Sequence, residues 1–275
     1  MTDDVGLPGY VHGYHEREDQ RLLDQAGSLV ELLHHDTRYP AGSLVLEAGC
    51  GVGAQTVTLA VNSPGTQFVS VDISEASLVA ARRRVAEAGL SNVELRQADI
   101  LAEPFPPAAF DHVFVCFVLE HLPDPSAALT ALKRMLRPGG SITVIEGDHG
   151  SSLFHPDSVA AHEAIHALVT LQARGGGDAN IGRRIYPLLV DAGFDAVRVS
   201  PRFVYVDDSR PALVEGFTRN TFSAMVAGVR EATIAAGLLT ADRFDQGIAD
   251  LERTAQGGGV FCYTFFKGIG EVAAS

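Results

Sequence analysis

The sequence predicts an α/β protein built on a doubly wound, seven-stranded, mostly parallel sheet. Short apolar runs alternate with helix-length stretches from residue 43 to residue 146. The runs are apolar nearly throughout, as in strands covered on both faces, instead of alternating apolar with polar. Glycines and capping residues punctuate the joints, so the succession reads strand, helix, strand with short connections.

In chain order, a first helix is expected from about Glu16 to His35, where Leu22, Leu23, Leu29, Leu32 and Leu33 recur at helical spacing; Pro40-Ala41-Gly42 ends it. Ser43–Ala48 is the first strand, stopped by glycines, and a helix follows over about 53–61. Gln67–Val71 is the second strand, with Asp72 at its end; Ser74 caps a helix over 75–88 that stops at Gly89. Val93–Ala98 and Phe110–Phe117 are the third and fourth strands. A helix over Pro125–Leu136 ends in Arg137-Pro138-Gly139-Gly140, a turn feeding the fifth strand, Ser141–Glu146. There the rhythm breaks. A His-rich loop, a helix near Ser158–Ala173 and Gly175-Gly176-Gly177 occupy 148–180. A helix over Gly182–Ala192 and a strand, Ala196–Ser200, resume the alternation. A helical stretch over about 208–256 then precedes the last strand, Val260–Phe266.

The formal net charge is −13, from 21 basic and 34 acidic residues. No basic run is present to meet phosphates, which argues against a nucleic-acid partner, and the acidic balance leans towards a neutral or cationic substrate. Met1-Thr2-Asp3-Asp4 is acidic and no apolar stretch follows it, so no signal peptide is expected; nor does any run of about 18 apolar residues predict a membrane span. Cys50, Cys116 and Cys262 are far apart, and two lie in apolar runs. They read as reduced, buried thiols of a cytoplasmic protein.

The chemistry concentrates at strand ends. In Glu47-Ala48-Gly49-Cys50-Gly51-Val52-Gly53 the glycines let the backbone turn tightly and approach a ligand, and the helix N-terminus behind them offers N–H groups to a carboxylate or phosphate. Alone, the loop also reads as Gly49-x-Gly51-x-x-Ala54, a nicotinamide-dinucleotide fingerprint. Asp72, 19 residues after Gly53, can accept both hydroxyls of an adenosine ribose or simply cap the next helix. Asp99 can accept a hydrogen from an adenine amino group or be a solvated turn residue, and Phe117 can lie near the same nucleoside.

Taken together, E-x-G-x-G-x-G, VDIS, ADI, CFVLEHLPDP and LRPGG resemble the class I (Rossmann-like) S-adenosylmethionine-dependent methyltransferases over about residues 43–146. The resemblance implies a Rossmann-like methyltransferase fold whose seventh strand inserts antiparallel beside the sixth. It implies S-adenosylmethionine as cofactor, with S-adenosylhomocysteine as product. Carried over by position, Gly49, Gly51 and Gly53 lie beneath the methionine part, Glu47 supports that end, Asp72 holds the ribose and Asp99 meets adenine. The segment around Glu120-His121 lies under the cofactor in a packing role. Residues 1–42 are then a helical segment covering the cofactor, with Tyr14 either touching the sulfonium or packing its helix on the sheet. Residues 43–275 are the methyltransferase domain, and insertions over 148–180 and 208–256 form a lid for the substrate.

The segment leaving strand five, Glu146-Gly147-Asp148-His149-Gly150, should face the methyl acceptor, since ligands lie beyond the carboxyl ends of such strands. His149 is the candidate general base, and Asp148 can orient it or bind a cationic substrate; the rival reading of His149 is a loop histidine bonded to backbone. His162-Glu163-Ala164-Ile165-His166 matches H-E-x-x-H, but its setting is wrong for a zinc protease and no metal is expected. The expected reaction is in-line methyl transfer to nitrogen or oxygen of a small-molecule metabolite, without nucleic-acid or membrane partners. An NAD-dependent oxidoreductase and a catalytically silent adenosyl-binding module are the alternatives.

Overall fold

A computed structural model describes Gly27 and residues 29–274. Seven strands, β1 (Leu44–Ala48), β2 (Gln67–Asp72), β3 (Val93–Gln97), β4 (Phe110–Cys116), β5 (Leu136–His155), β6 (Asp195–Val206) and β7 (Val260–Glu271), form one sheet in the order β3-β2-β1-β4-β5-β7-β6. The helices, in chain order, are α1 (described over 29–34), α2 (Ala54–Asn62), α3 (Glu75–Glu87), α4 (Pro125–Met135), α5 (Val159–Arg174), α6 (Ile185–Asp191), α7 (Pro211–Leu213), α8 (Ala224–Gly228), α9 (Arg230–Ala235) and α10 (Ala241–Arg253). The chain forms two compact units. One holds Val30–Gly147, Ile181–Arg202 and the segment from Phe265 on; the other holds Asp148–Asn180 and Phe203–Thr264, with the described residues up to Leu29.

In the first unit β1 pairs parallel with β2 and β4, β2 with β3, and β4 with β5. Leu46, Val113, Leu129, Leu132, Ile142 and Val144 are fully buried in its core. Each such side chain is worth about 1.5–3 kcal/mol relative to exposure, and that burial fixes which face each strand presents. Helix starts follow the capping rule: Ser74 Oγ accepts from the N–H of Ser77 at 3.2 Å, and Asp124 Oδ1 from that of Ala127 at 2.9 Å.

Two expectations change at β5. Residues 137–140 are strand rather than a separate turn, although Gly139 keeps a left-handed φ of 77° and the register against β4 slips between Phe110 and His112. The cause is the residue that follows β7: the N–H of Gly139 donates to the carbonyl of Val272, and the N–H of Val272 donates to that of Gly140. Residues 148–155, expected as a loop, also continue the strand. There the N–H of Thr264 donates to Ser151 Oγ. As residue numbers rise along β5 they fall along the facing β7, so the pair is antiparallel. β7 therefore lies between β5 and β6, as well as beside the sixth strand.

In the second unit the expected late helical stretch is helical but irregular: α7 passes into a π-helical run, Val214–Ser223, and then into α8. α5 and α10 pack closely because Gly247 lacks a side chain; a Cβ there would overlap the carbonyl oxygen of Ala160. Ser158 Oγ, at the start of α5, donates to Asp250 Oδ2 at 2.5 Å, and Arg243 pairs with Glu163 at 2.6 Å.

Alanine favours a helix over glycine by about 1 kcal/mol, but at position 247 the obstacle is backbone that cannot swing aside. Gly247→Ala is expected to lower stability by about 1–3 kcal/mol, read as a fall in Tm. Gly257→Ala, where a Cβ meets nothing within 4 Å, is expected to leave Tm nearly unchanged.

Candidate active site

The site grows from the tips of the parallel ladder. Ala48 is registered with Val71 and Val115, Asp72 with Gln97, and Cys116 with Ile145, so four connections leave one edge of the sheet side by side. The strand order reverses about β1, which makes this edge the switch point where open α/β sheets bind ligands.

Gly49, Gly51 and Gly53 all adopt left-handed φ, of 72°, 51° and 78°. The turn is pinned by the N–H groups of Gly49 and Cys50, both donating to the carbonyl of Val71 at 2.9 Å, and by that of Gly51, donating to Asp72 Oδ2 at 2.8 Å. A Cβ on Gly49 would collide with Val118, and one on Gly53 would crowd Ala81, but one on Gly51 would meet nothing within 4 Å. So Gly49 and Gly53 serve packing, and Gly51 leaves its backbone open to a ligand. Behind it, α2 begins at Gly53 with no side chain accepting from its first turn, whereas Ser74, Asp124, Ser158 and Thr240 cap α3, α4, α5 and α10. Uncapped N–H groups behind an open glycine suit the carboxylate of an amino acid.

Asp72 uses Oδ2 for Gly51 and Oδ1 for the N–H of Ser74 at 2.9 Å; burial pushes its pKa up while those backbone bonds pull it down. Each carboxylate oxygen can accept more than one hydrogen. Asp99, one strand further on, is exposed and caps the turn Ile100–Ala102 by accepting from the N–H of Leu101 at 2.9 Å. Asp72 is registered with Gln97, so the two acids leave neighbouring strands at the same end of the sheet.

Glu47 is buried. Its Oε2 accepts from Thr56 Oγ1 at 2.7 Å and Ser70 Oγ at 2.6 Å, fastening β1 to α2 and β2. Burial pushes its pKa up to about 7. Cys50, in the glycine turn, is also buried; that burial and the carboxyl groups of Glu47 and Asp72 push its thiol well up. Phe117, at the tip of β4, carries a left-handed φ of 57°, rare for a bulky residue, and its ring lies 5.4 Å from that of Phe265. The next two N–H groups, of Val118 and Leu119, donate to Glu146 Oε1 at 3.0 and 2.8 Å. Glu146 thus holds the segment that packs on Gly49, a role the sequence reading missed because its partners are backbone atoms of another strand's exit.

In the other unit, His149 and Asp148 are both buried, and His149 lies within β5 rather than in a loop. His149 Nδ1 hydrogen-bonds Tyr263 Oη at 2.7 Å, and its ring meets those of Phe222 and Tyr263. No sequence signal pointed to Tyr263. In the H-E-x-x-H match, His162 bonds Asp157 at 2.8 Å and Glu163 is engaged by Arg243. Among the described residues no group of three or more His, Cys, Asp or Glu is placed to hold a metal, and no helix is long and apolar enough to cross a membrane. Tyr14 lies outside the described residues.

The raised pKa of Glu47 gives a signed expectation. Between the usual 4.5 and about 7 the folded chain keeps a proton that the unfolded chain releases, so stability falls as pH rises through that window. At about 1.4 kcal/mol per pKa unit the loss is on the order of 3 kcal/mol. A glutamine amide oxygen in place of the carboxyl can still accept from Thr56 and Ser70. Glu47→Gln is therefore expected to gain in Tm over the parent as pH goes from about 4 to 8; a constant difference would show that the carboxyl does not titrate there.

The family described as Methyltransferase domain matches residues 46–144. An uncharacterized 37.1 kDa protein in transposon TN4556 of Streptomyces fradiae is 34% identical over 190 residues, covering 68% of this chain and 54% of that protein, so the chain spans about half its length. Demethylmenaquinone methyltransferase of Thermus thermophilus is 30% identical over 161 residues, covering 48% of this chain and 73% of that protein. Among solved structures, phosphoethanolamine N-methyltransferase 2 of Haemonchus contortus, in complex with S-adenosyl-L-methionine, superposes with a TM-score of 0.55 at 17% identity, covering 92% of this chain and 53% of that one; the likeness is one of fold. With the matched domain opening on the glycine turn and a methyltransferase covered over most of its length, the chain belongs to the class I S-adenosylmethionine-dependent methyltransferases.

Proposed function

We propose that this protein transfers a methyl group from S-adenosylmethionine to nitrogen or oxygen of a small-molecule acceptor by in-line displacement. The observation that carries the reading is the open, left-handed Gly51 in front of an uncapped α2, with the Asp72 carboxyl at the neighbouring strand tip. The relative from Thermus, named for demethylmenaquinone, supports a small-molecule acceptor. The dinucleotide reading of the same loop is set aside by family membership and by the antiparallel seventh strand.

S-adenosylmethionine supplies a methyl group already activated by its sulfonium. The chain's part is to hold and align: Gly51 and the start of α2 take the methionine carboxylate, Asp72 the ribose hydroxyls, Asp99 the adenine amino group, with Glu47 and Phe117 shaping the surroundings. In-line transfer leaves the acceptor's proton to be taken up, and His149 Nε2 is the proposed base. For Nε2 to accept it, the ring must carry its hydrogen on Nδ1, where Tyr263 Oη stands at 2.7 Å. Tyr263 is then the positioning residue that holds this tautomer, and buried Asp148 is the candidate to bind a cationic substrate.

Asp72→Ala is expected to weaken S-adenosylhomocysteine binding about tenfold or more, measured by calorimetry; unchanged affinity would remove Asp72 from the site. With an acceptor found by screening phenols, quinols and amines for S-adenosylhomocysteine release, His149→Ala is expected to lower turnover by about 10²–10⁴-fold and leave cofactor affinity alone. Tyr263→Phe should lower kcat in the same direction and shift its pH profile. Full turnover in the His149 variant would end its role as base, and no acceptor-dependent release from any class would favour a silent binding module.

A further inference from the structure

Glu146 stands just past Ile145, the last residue of β5 paired with β4, and is fully buried. One carboxyl oxygen is engaged by Val118 and Leu119. The other, Oε2, is buried with no hydrogen-bond partner among the described residues. A carboxyl oxygen in that state is costly and asks for a reason.

Among the described residues its surroundings are short of positive charge. From the turn Leu119–His121 come Glu120 and His121, which pair with each other at 3.7 Å, and from β4 comes Cys116, on which Glu47 of β1 also acts. Lys267 on β7 acts on the same Cys116, but its ammonium is held by Asp36 Oδ1 and Thr37 Oγ1, both at 2.6 Å. Burial and the Glu120 charge hold the Glu146 carboxyl well above the usual carboxylate range. Yet the segment that Glu146 fastens is the one whose Val118 packs against Gly49, and whose Phe117 is held in a left-handed conformation by the turn. A buried acid with one unpartnered oxygen thus stands behind the wall of the glycine turn.

We propose that Glu146 is the counter-charge for the cofactor's sulfonium: the buried carboxyl with the unpartnered oxygen gives its proton to solvent as S-adenosylmethionine binds. The O–H bond of the carboxyl breaks, its electron pair stays on oxygen, and the resulting carboxylate meets the added positive charge in a surrounding of low dielectric. The inference rests on the cofactor site proposed above. Linkage makes it reciprocal, so raising the pH tightens S-adenosylmethionine binding. S-adenosylhomocysteine, whose sulfur is neutral, lacks this coupling, so the site discriminates cofactor from product by charge.

The test is calorimetric titration of the whole chain with S-adenosylmethionine and, separately, S-adenosylhomocysteine, in buffers of different protonation enthalpy between about pH 5 and 8. The cofactor is expected to release up to about one proton and the product close to none. The affinity ratio should rise by up to about tenfold per pH unit. Glu146→Gln keeps an acceptor for Val118 and Leu119 and should abolish both the release and the pH dependence; Glu120→Gln and Glu47→Gln should keep the release. Equal release with the two ligands, persistence in Glu146→Gln, or loss in Glu47→Gln instead, overturns the proposal. Should Glu146→Gln not fold, the infrared difference spectrum of the parent decides: the carbonyl band of a protonated carboxylic acid disappears with the cofactor and not with the product. A band unchanged by the cofactor overturns the inference while the site stands. If neither ligand binds, the proposed function itself fails.

Discussion

Parallel pairing of β1 with a neighbour on each side is the constraint from which the site follows. Because the central strands are buried on both faces, a slip of one residue would turn Glu47 onto the face of Leu46 and break both sets of contacts. Register therefore delivers the glycine turn, Asp72 and the exit of β4 to the same edge without any of them having to find the others. Carboxyl groups then turn inward to fix the exits. Glu47 ties β1 to hydroxyls on α2 and β2, Asp72 takes the Gly51 and Ser74 N–H groups, and Glu146 takes those of Val118 and Leu119. Each replaces water at a polar group that no strand or helix satisfies.

These carboxyls share an environment and differ in what they are given. Asp72 receives backbone N–H donors on both oxygens, Glu47 two hydroxyls on one oxygen, and Glu146 two N–H donors on one oxygen and nothing on the other. Hydrogen bonds to the charged form offset desolvation most where both oxygens receive them, and least where one is left dry. Glu47 and His34 also pull the acid side of the stability curve in opposite directions. Burial holds the His34 imidazole down to about 4, which costs stability as pH falls through that region, while Glu47 costs stability as pH rises towards 7.

Much of the first unit was legible because its signals are local. The glycines at 49, 51 and 53 announce left-handed turns, Ser74 announces a helix start, and both stand as read. The sequence reading failed where a residue's partner is distant. Arg137-Pro138-Gly139-Gly140 reads as a turn, yet its carbonyl and N–H groups are matched by Val272. Tyr263 meets His149 across more than a hundred residues, and Glu146 meets backbone rather than any side chain a motif could name. The π-helical run over Val214–Ser223 has no compositional mark separating it from an ordinary helix. Asp99 was placed at the right strand end, but its exposure and its capping of Leu101 follow from how far β3 extends.

The buried thiol in the glycine turn has a chemical consequence of its own. A cysteine anion is a far better nucleophile than the thiol, and an alkylating agent that met it would be consumed in a dead-end reaction. Cys50 is shielded from solvent, and the acids at 47 and 72 disfavour its ionisation further. The loop thus keeps its sulfur in the form least open to alkylation.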